Sequence, residues 1–381
     1  MKDGFNHVYR FDASGKQLNQ LTAGKWDVTK VYGVDKDGKK LYYQSAETSP
    51  LQRHVYSVST DGKDKKQLTP RTGTNNATFN ENFSFFLLTH SSANSPVEFF
   101  ICANDGKVVR TLETNDALKT KRSEYKISRK EFFTFKTPDG VELNGWMMKP
   151  LDFDATKKYP VFMWVYGGPG SQQVLDQYMG TSDLNFNYLC QKGYVVACVD
   201  NRGTGARGEE FMKSTYLQLG KYETEDQIAA ARYLGNMPFV DKARIGIAGW
   251  SYGGFVSSLC MGLGGTTFKT GVAVAPVADW RFYDSIYTER FMRTQKENAD
   301  GYTNNSPLKH APNIKGNYLL MHGLADDNVH YQNTAELLKA LYKANVKFTQ
   351  MTFPDKNHGI YGGNTRFYLY TQVWDYVTAN L

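Results

Sequence analysis

The stretch Arg244-Ile-Gly-Ile-Ala-Gly249-Trp-Ser251-Tyr-Gly253-Gly254-Phe255 decides the fold. Ile245 and Ile247 mark a strand that runs into a Gly-x-Ser-x-Gly turn, and the apolar run from Phe255 to Met261 leaves that turn as the start of a helix. A serine hydroxyl is a poor nucleophile in water, so it must be raised where a base can reach its proton, and a strained strand-to-helix elbow does this. Gly249 and Gly253 fit such an elbow, because a side chain at either would strike the neighbouring strand or helix while Ser251 holds a sparsely allowed backbone conformation. Gly-x-Ser-x-Gly is common in loops; its place between strand and helix singles out Ser251.

Outward from the elbow the pattern alternates. Buried strands are expected at 159–166, 194–200, 244–248, 270–275, 318–321 and 347–353, each ending in a Gly, Asp or Pro loop. Thr224-x-x-Gln227 has the form of a capping box for a helix over 225–234 closed by Gly235. Tyr370, Val373, Trp374 and Val377 form the core stripe of a last helix. A hairpin over 131–148 opens this region. The fold class is α/β: a doubly wound, mostly parallel sheet of the α/β-hydrolase kind, with its chemistry at the carboxyl ends of the strands.

The first 122 residues differ, with short strands, tight turns and no helical periodicity. His7-Val-Tyr9, a Gly15 turn and Gln20-Leu-Thr22 recur as His54-Val-Tyr56, a Gly62 turn and Gln67-Leu-Thr69, a spacing close to that of propeller blades. We expect about two blades of an incomplete β-propeller over 1–122, a polar linker over 121–130, and a catalytic domain over 123–381. Two blades do not close a ring, so the chain is expected to be the C-terminal part of a longer protein; a small β-sandwich is the alternative.

Composition narrows the classes. Hydrophobic residues make up 41% and charged ones 22%, which excludes wholesale disorder. The formal charge of +7 is spread over turns such as Asp35 to Lys40, mixed with acids, so no nucleic-acid groove is expected. The four cysteines form no CxxC pair and cluster with no histidine, so neither a metal site nor a redox motif is indicated. No run is long and apolar enough to span a bilayer, and the first residues lack the form of a signal peptide.

A serine on an elbow needs a base, and the hydrolase order is Ser, then acid, then His. Among seven histidines, His358 follows the strand expected at 347–353 in a polar loop before the last helix, which suits the base. The acid should follow the preceding strand, where Asp326 and Asp327 are adjacent; spacing leaves both open. The tetrahedral oxyanion needs two donors. The Tyr252 backbone N–H is one. The other should come from the loop 165–170, where the Tyr166 phenol either donates or merely packs.

Four patterns stand out: Gly249-Trp-Ser-Tyr-Gly-Gly254, His322-Gly-Leu-Ala-Asp-Asp-Asn-Val-His330, Asn357-His-Gly-Ile360 and Val277-x-x-Trp280-x-x-Tyr283-Asp-Ser-x-Tyr287-Thr-Glu-Arg290. Together they resemble the dipeptidyl peptidase IV type of the prolyl oligopeptidase group. The resemblance implies a triad of Ser251, Asp326 and His358, with Tyr166 as second oxyanion donor. It implies a proline-accepting S1 pocket from Tyr252, Val277, Trp280, Tyr283, Tyr287 and Val329, with Asn328 binding the carbonyl before the proline. Rings suit a pyrrolidine, which has no N–H to satisfy; Asp279, Arg281 and Asp284 interleave the series as on a cavity wall.

The implied reaction releases N-terminal dipeptides with Pro or Ala in second place, through an acyl-enzyme and without cofactor or metal. Rivals are a prolyl tripeptidyl or oligopeptidase, a general carboxylesterase, and a non-catalytic binding module. The family further implies a homodimer through the last helices and a periplasmic, secreted or cell-surface setting. The acidic pair that grips the substrate amine belongs, in the family, to earlier blades missing from this chain. Glu209-Glu210 does not match its position and is read as a solvated helix start.

Overall fold

The computed structural model describes residues 1–381, which form two compact units. The first comprises Met1–Lys130, Val174–Leu184 and Gly205–Met212. Strands β1 (Tyr9–Phe11) and β2 (Gln17–Gln20) form a ribbon. β3 (Val28–Val34), β4 (Lys40–Ser45), β5 (His54–Ser59) and β6 (Lys66–Gln67) make one antiparallel sheet in chain order. β7 (Thr74–Phe79), β8 (Phe85–Ser92), β9 (Ser95–Ala103) and β10 (Val108–Glu113) make another. These are blade-like meanders, and their sheets stay open. Tyr42, Val55, Leu68, Phe86, Leu88 and Phe100 pack as a core.

The sequence repeat has a structural cause. The Val8 N–H donates to Thr22 Oγ1 at 2.9 Å, and the Val55 N–H donates to Thr69 Oγ1 at 2.9 Å. Leu21 and Leu68 return the bond, each N–H donating at 2.8 Å to the carbonyl of Val8 or Val55. The recurring valine, leucine and threonine therefore close the same strand junction twice.

Helix α1 (Asp116–Glu124) corrects the expectation of strands and linker there. None of its residues is buried, so no apolar stripe announces it. At the end of the supposed linker, Lys130 is buried and pairs with Asp183 at 2.6 Å, on helix α2 (Thr181–Gln191). A partner so distant in sequence leaves no local signature. Glu209 and Glu210 occupy the first turn of α3 (Gly208–Lys213), as expected.

The second unit comprises Glu131–Gln173, Asn185–Thr204 and Lys213–Leu381. Its strands are β11 (Lys130–Lys136), β12 (Glu142–Met148), β13 (Tyr159–Val165), β14 (Val195–Asp200), β15 (Val240–Trp250), β16 (Thr270–Val274), β17 (Asn317–Gly323) and β18 (Thr349–Phe353). They form one eight-stranded sheet ordered β11-β12-β14-β13-β15-β16-β17-β18. β12 is antiparallel to β14, and β14 through β18 run parallel. Every residue of β14 and β16 is buried, which explains their unbroken apolar runs.

The connecting helices are α4 (Lys221–Gly235), α5 (Tyr252–Leu263), α6 (Ser285–Met292), α7 (Ala299–Asn304), α8 (Pro307–His310), α9 (Gln332–Lys343) and α10 (Thr365–Asn380). α4 begins a turn earlier than the capping box at Thr224 suggests: Glu223 reaches back to the Gly220 N–H at 3.0 Å. Gln227 is instead buried and donates to the Val199 carbonyl at 2.9 Å. All four cysteines are free and buried.

Candidate active site

Ser251 sits between β15 and α5 at φ 60° and ψ −118°, a strained conformation for a residue with a Cβ. The two elbow glycines are forced. A Cβ on Gly249 would meet the backbone of Gly253 and the Val165 carbonyl, and one on Gly253 would meet that same carbonyl of β13. As first residue of α5, Tyr252 has an N–H with no acceptor inside the helix, which leaves it available to an anion beside Ser251.

His358 is brought to the elbow by the residue before the serine. The Trp250 indole N–H donates to the His358 carbonyl at 3.1 Å, and Arg366 donates to the Gly359 carbonyl at 2.7 Å while its guanidinium covers the Trp250 ring at 4.9 Å. On its other side, His358 Nδ1 lies 2.8 Å from Asp326 Oδ2. Asp326 is buried in the loop after β17, whereas Asp327 is exposed, so geometry separates the two carboxylates that spacing could not. Ser251 Oγ and His358 make no hydrogen bond to each other, a bond that is often long without substrate.

Asp326 Oδ1 accepts the backbone N–H groups of Asn328 and Val329, both at 2.9 Å. Burial opposes its ionisation, but the hydrogen bonds from His322 and His358 outweigh that and hold the carboxyl well below the usual range. His322, assigned no role from sequence, is thus part of the cluster. The one signal for it in the sequence is its place four residues before Asp326, in the same motif as Asn328 and Val329.

The aromatic series converges. Trp280 lies 5.4 Å from the Tyr252 ring and 5.7 Å from each of Tyr283 and Tyr287, whose rings stand 5.4 Å apart. Val277 and Val329 are buried. The Tyr166 ring, in the loop after β13, is 6.2 Å from that of Tyr252 and its phenol has no hydrogen-bond partner within the protein. Burial raises the Tyr166, Tyr283 and Tyr287 pKa values, so these phenols stay protonated donors at neutral pH. The Tyr252 phenol donates to Glu223, a wholly buried carboxyl, at 2.6 Å.

The interleaved charges differ from the cavity wall expected. Asp279 is buried, caps the short helical turn at Arg281 and pairs with its guanidinium at 2.6 Å. Asp284 caps α6 through the Tyr287 N–H at 2.8 Å. Only Arg281 and Asp284 face the cleft, a space of about 690 Å³ also lined by Tyr283, Asn328, His330 and His358. Tyr283 donates to Asn328 Oδ1 at 2.7 Å.

Two family models match the chain: "Prolyl oligopeptidase family" over residues 180–381 and "Dipeptidyl peptidase IV (DPP IV) N-terminal region" over residues 1–97. A probable dipeptidyl peptidase 4 of Emericella nidulans is 37% identical over 97% of this chain and 49% of its own length. A probable dipeptidyl-aminopeptidase B of Trichophyton verrucosum is 40% identical over 94% of this chain and 41% of its own length. The crystal structure of Porphyromonas gingivalis dipeptidyl peptidase 4 superposes with a TM-score of 0.96 at 52% identity, covering 100% of this chain and 54% of that one. A putative dipeptidyl aminopeptidase IV from Bacteroides ovatus gives 0.91 at 29% identity, covering 100% of this chain and 56% of that one. The chain spans about half the length of the curated relatives it matches. With a family model covering more than half its residues, the chain belongs to the prolyl oligopeptidase family.

Proposed function

We propose that this chain carries the catalytic centre of a serine exopeptidase that releases N-terminal dipeptides with proline or alanine in second place. We read residues 123–381 as the catalytic domain and residues 1–122 as propeller blades. The observation that carries the reading is the His358 to Asp326 hydrogen bond, tied by Trp250 to the elbow that bears Ser251.

In this mechanism His358 Nε2 takes the Ser251 proton as Oγ attacks the carbonyl of the second residue. The oxyanion is met by the Tyr252 N–H and the Tyr166 phenol. His358 returns the proton to the leaving amine, leaving an ester on Ser251. Water then attacks that ester, losing a proton to His358, which passes it to Ser251 Oγ as the ester bond breaks and the dipeptide departs. The pyrrolidine occupies the box of Tyr252, Val277, Trp280, Tyr283, Tyr287 and Val329. Asn328, its amide oxygen held by Tyr283, turns its N–H groups toward the preceding carbonyl.

A fluorophosphonate probe should label Ser251, and the protein that carries this chain should hydrolyse Gly-Pro-p-nitroanilide far faster than Ala-Ala-Pro-p-nitroanilide. Preference for the tripeptide reporter would replace the dipeptidyl reading with a tripeptidyl one; no labelling would make the chain a binding module.

A further inference from the structure

His322 is the last residue but one of β17, with its side chain fully shielded from solvent. Its Nε2 lies 3.0 Å from Asp326 Oδ2, the same oxygen that His358 Nδ1 approaches, and 2.9 Å from the Val329 carbonyl. A carboxylate and a carbonyl only accept, so Nε2 carries a proton. Nδ1 lies 2.6 Å from Thr334 Oγ1 on α9, a hydroxyl able to donate to it. The contacts therefore fit a neutral ring protonated at Nε2. Asp326 then receives four donors: two backbone N–H groups on Oδ1, and one imidazole N–H from each side on Oδ2.

We propose that His322 is a positioning residue of the catalytic cluster: its Nε2–H fixes the rotation of the Asp326 carboxylate and withdraws part of its charge, which sets the basicity of His358. The proposal rests on the serine peptidase reading above. Two donors on one oxygen compete. Without the His322 bond, the carboxylate stabilises the His358 imidazolium more strongly, and the base stays protonated to higher pH.

Other charged and titratable groups face this cluster. Tyr283 comes from the segment before α6, Arg281 and Asp284 from across the cleft, Asp327 and His330 from the acid loop, and the Tyr331 ring meets His322 edge-on at 5.5 Å. None of them bonds the Asp326 carboxylate, and all are unchanged in the variants below. A purely structural His322, tying β17 to α9, would alter stability alone.

The test compares His322→Phe, which deletes the donor, with His322→Gln, whose amide restores one. In the phenylalanine variant the acid limb of the kcat/KM profile should move up by roughly one pH unit, and glutamine should move it back. The pH dependence of fluorophosphonate labelling should shift alike; this readout needs no peptide subsite. In the unmodified protein, NMR of the imidazole nitrogens should show the His322 proton on Nε2 and none on Nδ1. An unmoved limb in a folded phenylalanine variant, or a His322 ring that carries its proton on Nδ1, overturns the proposal. If that variant does not fold, the tautomer of the wild-type ring decides. Absence of labelling in the unmodified protein would instead sink the peptidase reading, with the tautomer of His322 still measurable.

Discussion

At the scale of single residues, the site divides into what spacing reveals and what only geometry reveals. Ser251 and His358 can be proposed from sequence because each follows a recognisable strand in the order that acyl-transfer chemistry on this fold requires. Asp326 and Asp327 differ by one position, and only the buried contact with His358 separates them. Asp326→Asn should lower kcat by about 10⁴ while the circular dichroism spectrum stays unchanged, because the amide presents the wrong partner to the imidazole; a rate within tenfold of the parent would remove Asp326 from the relay. Tyr166 was poised between donor and packing ring. Its phenol, unbonded within the protein and kept protonated by burial, favours donation. Tyr166→Phe should therefore cost ~10²–10³ in kcat with little change in KM, measured on Gly-Pro-p-nitroanilide; unchanged turnover would return the ring to packing.

At the scale of elements, the central strands were legible, but β18, expected to be buried, lies at the sheet edge with only Phe353 buried, and the start of α4 was misplaced. Parallel strands buried on both faces are written as unbroken apolar runs, but a helix start depends on which polar group happens to be enclosed. α4 shows this: Glu223, not Thr224, reaches back to the first turn, and the same carboxyl accepts the phenol of Tyr252 behind the serine elbow. Burial pushes Glu223 up from 4.5 to about 8. The folded protein thus keeps a proton that the unfolded chain sheds above pH 4.5, so this group's contribution to stability is whole below that pH and declines as pH rises toward 8. The slope inside that window is roughly 1.4 kcal/mol per pH unit. Thermal melts should show Tm falling from pH 5.5 to 8, and Glu223→Gln should flatten the fall; parallel curves would mean that Glu223 is ionised in the folded state. The elbow makes a second demand. Gly253→Ala would drive a Cβ into the Val165 carbonyl of β13, and urea melts should register a loss of about 1–3 kcal/mol.

At the scale of the whole molecule, the blade repeat and the α/β alternation were both readable because each is written in short local patterns along the chain, whereas the crossing of β13 and β14 in the sheet order was not. The segments Val174–Leu184 and Gly205–Met212, which cluster with the first unit although they arise inside the second, were not, since their partners lie far away along the chain. The open sheets carry a physical consequence of their own. β10 is exposed along its entire length, with Val108, Val109 and Leu112 facing water, and β3, the edge of the other sheet, exposes Val31 and Val34. An apolar edge strand with unpaired backbone groups is a template for another strand. The chain as it stands should associate with itself in a concentration-dependent way, visible by light scattering, and Val109→Lys should suppress this by placing a charge on the edge without touching the core. Because Val109 lies in the first unit and the serine elbow in the second, fluorophosphonate labelling should be unaffected. If light scattering were the same with and without the lysine, the β10 edge would not be where the chains meet.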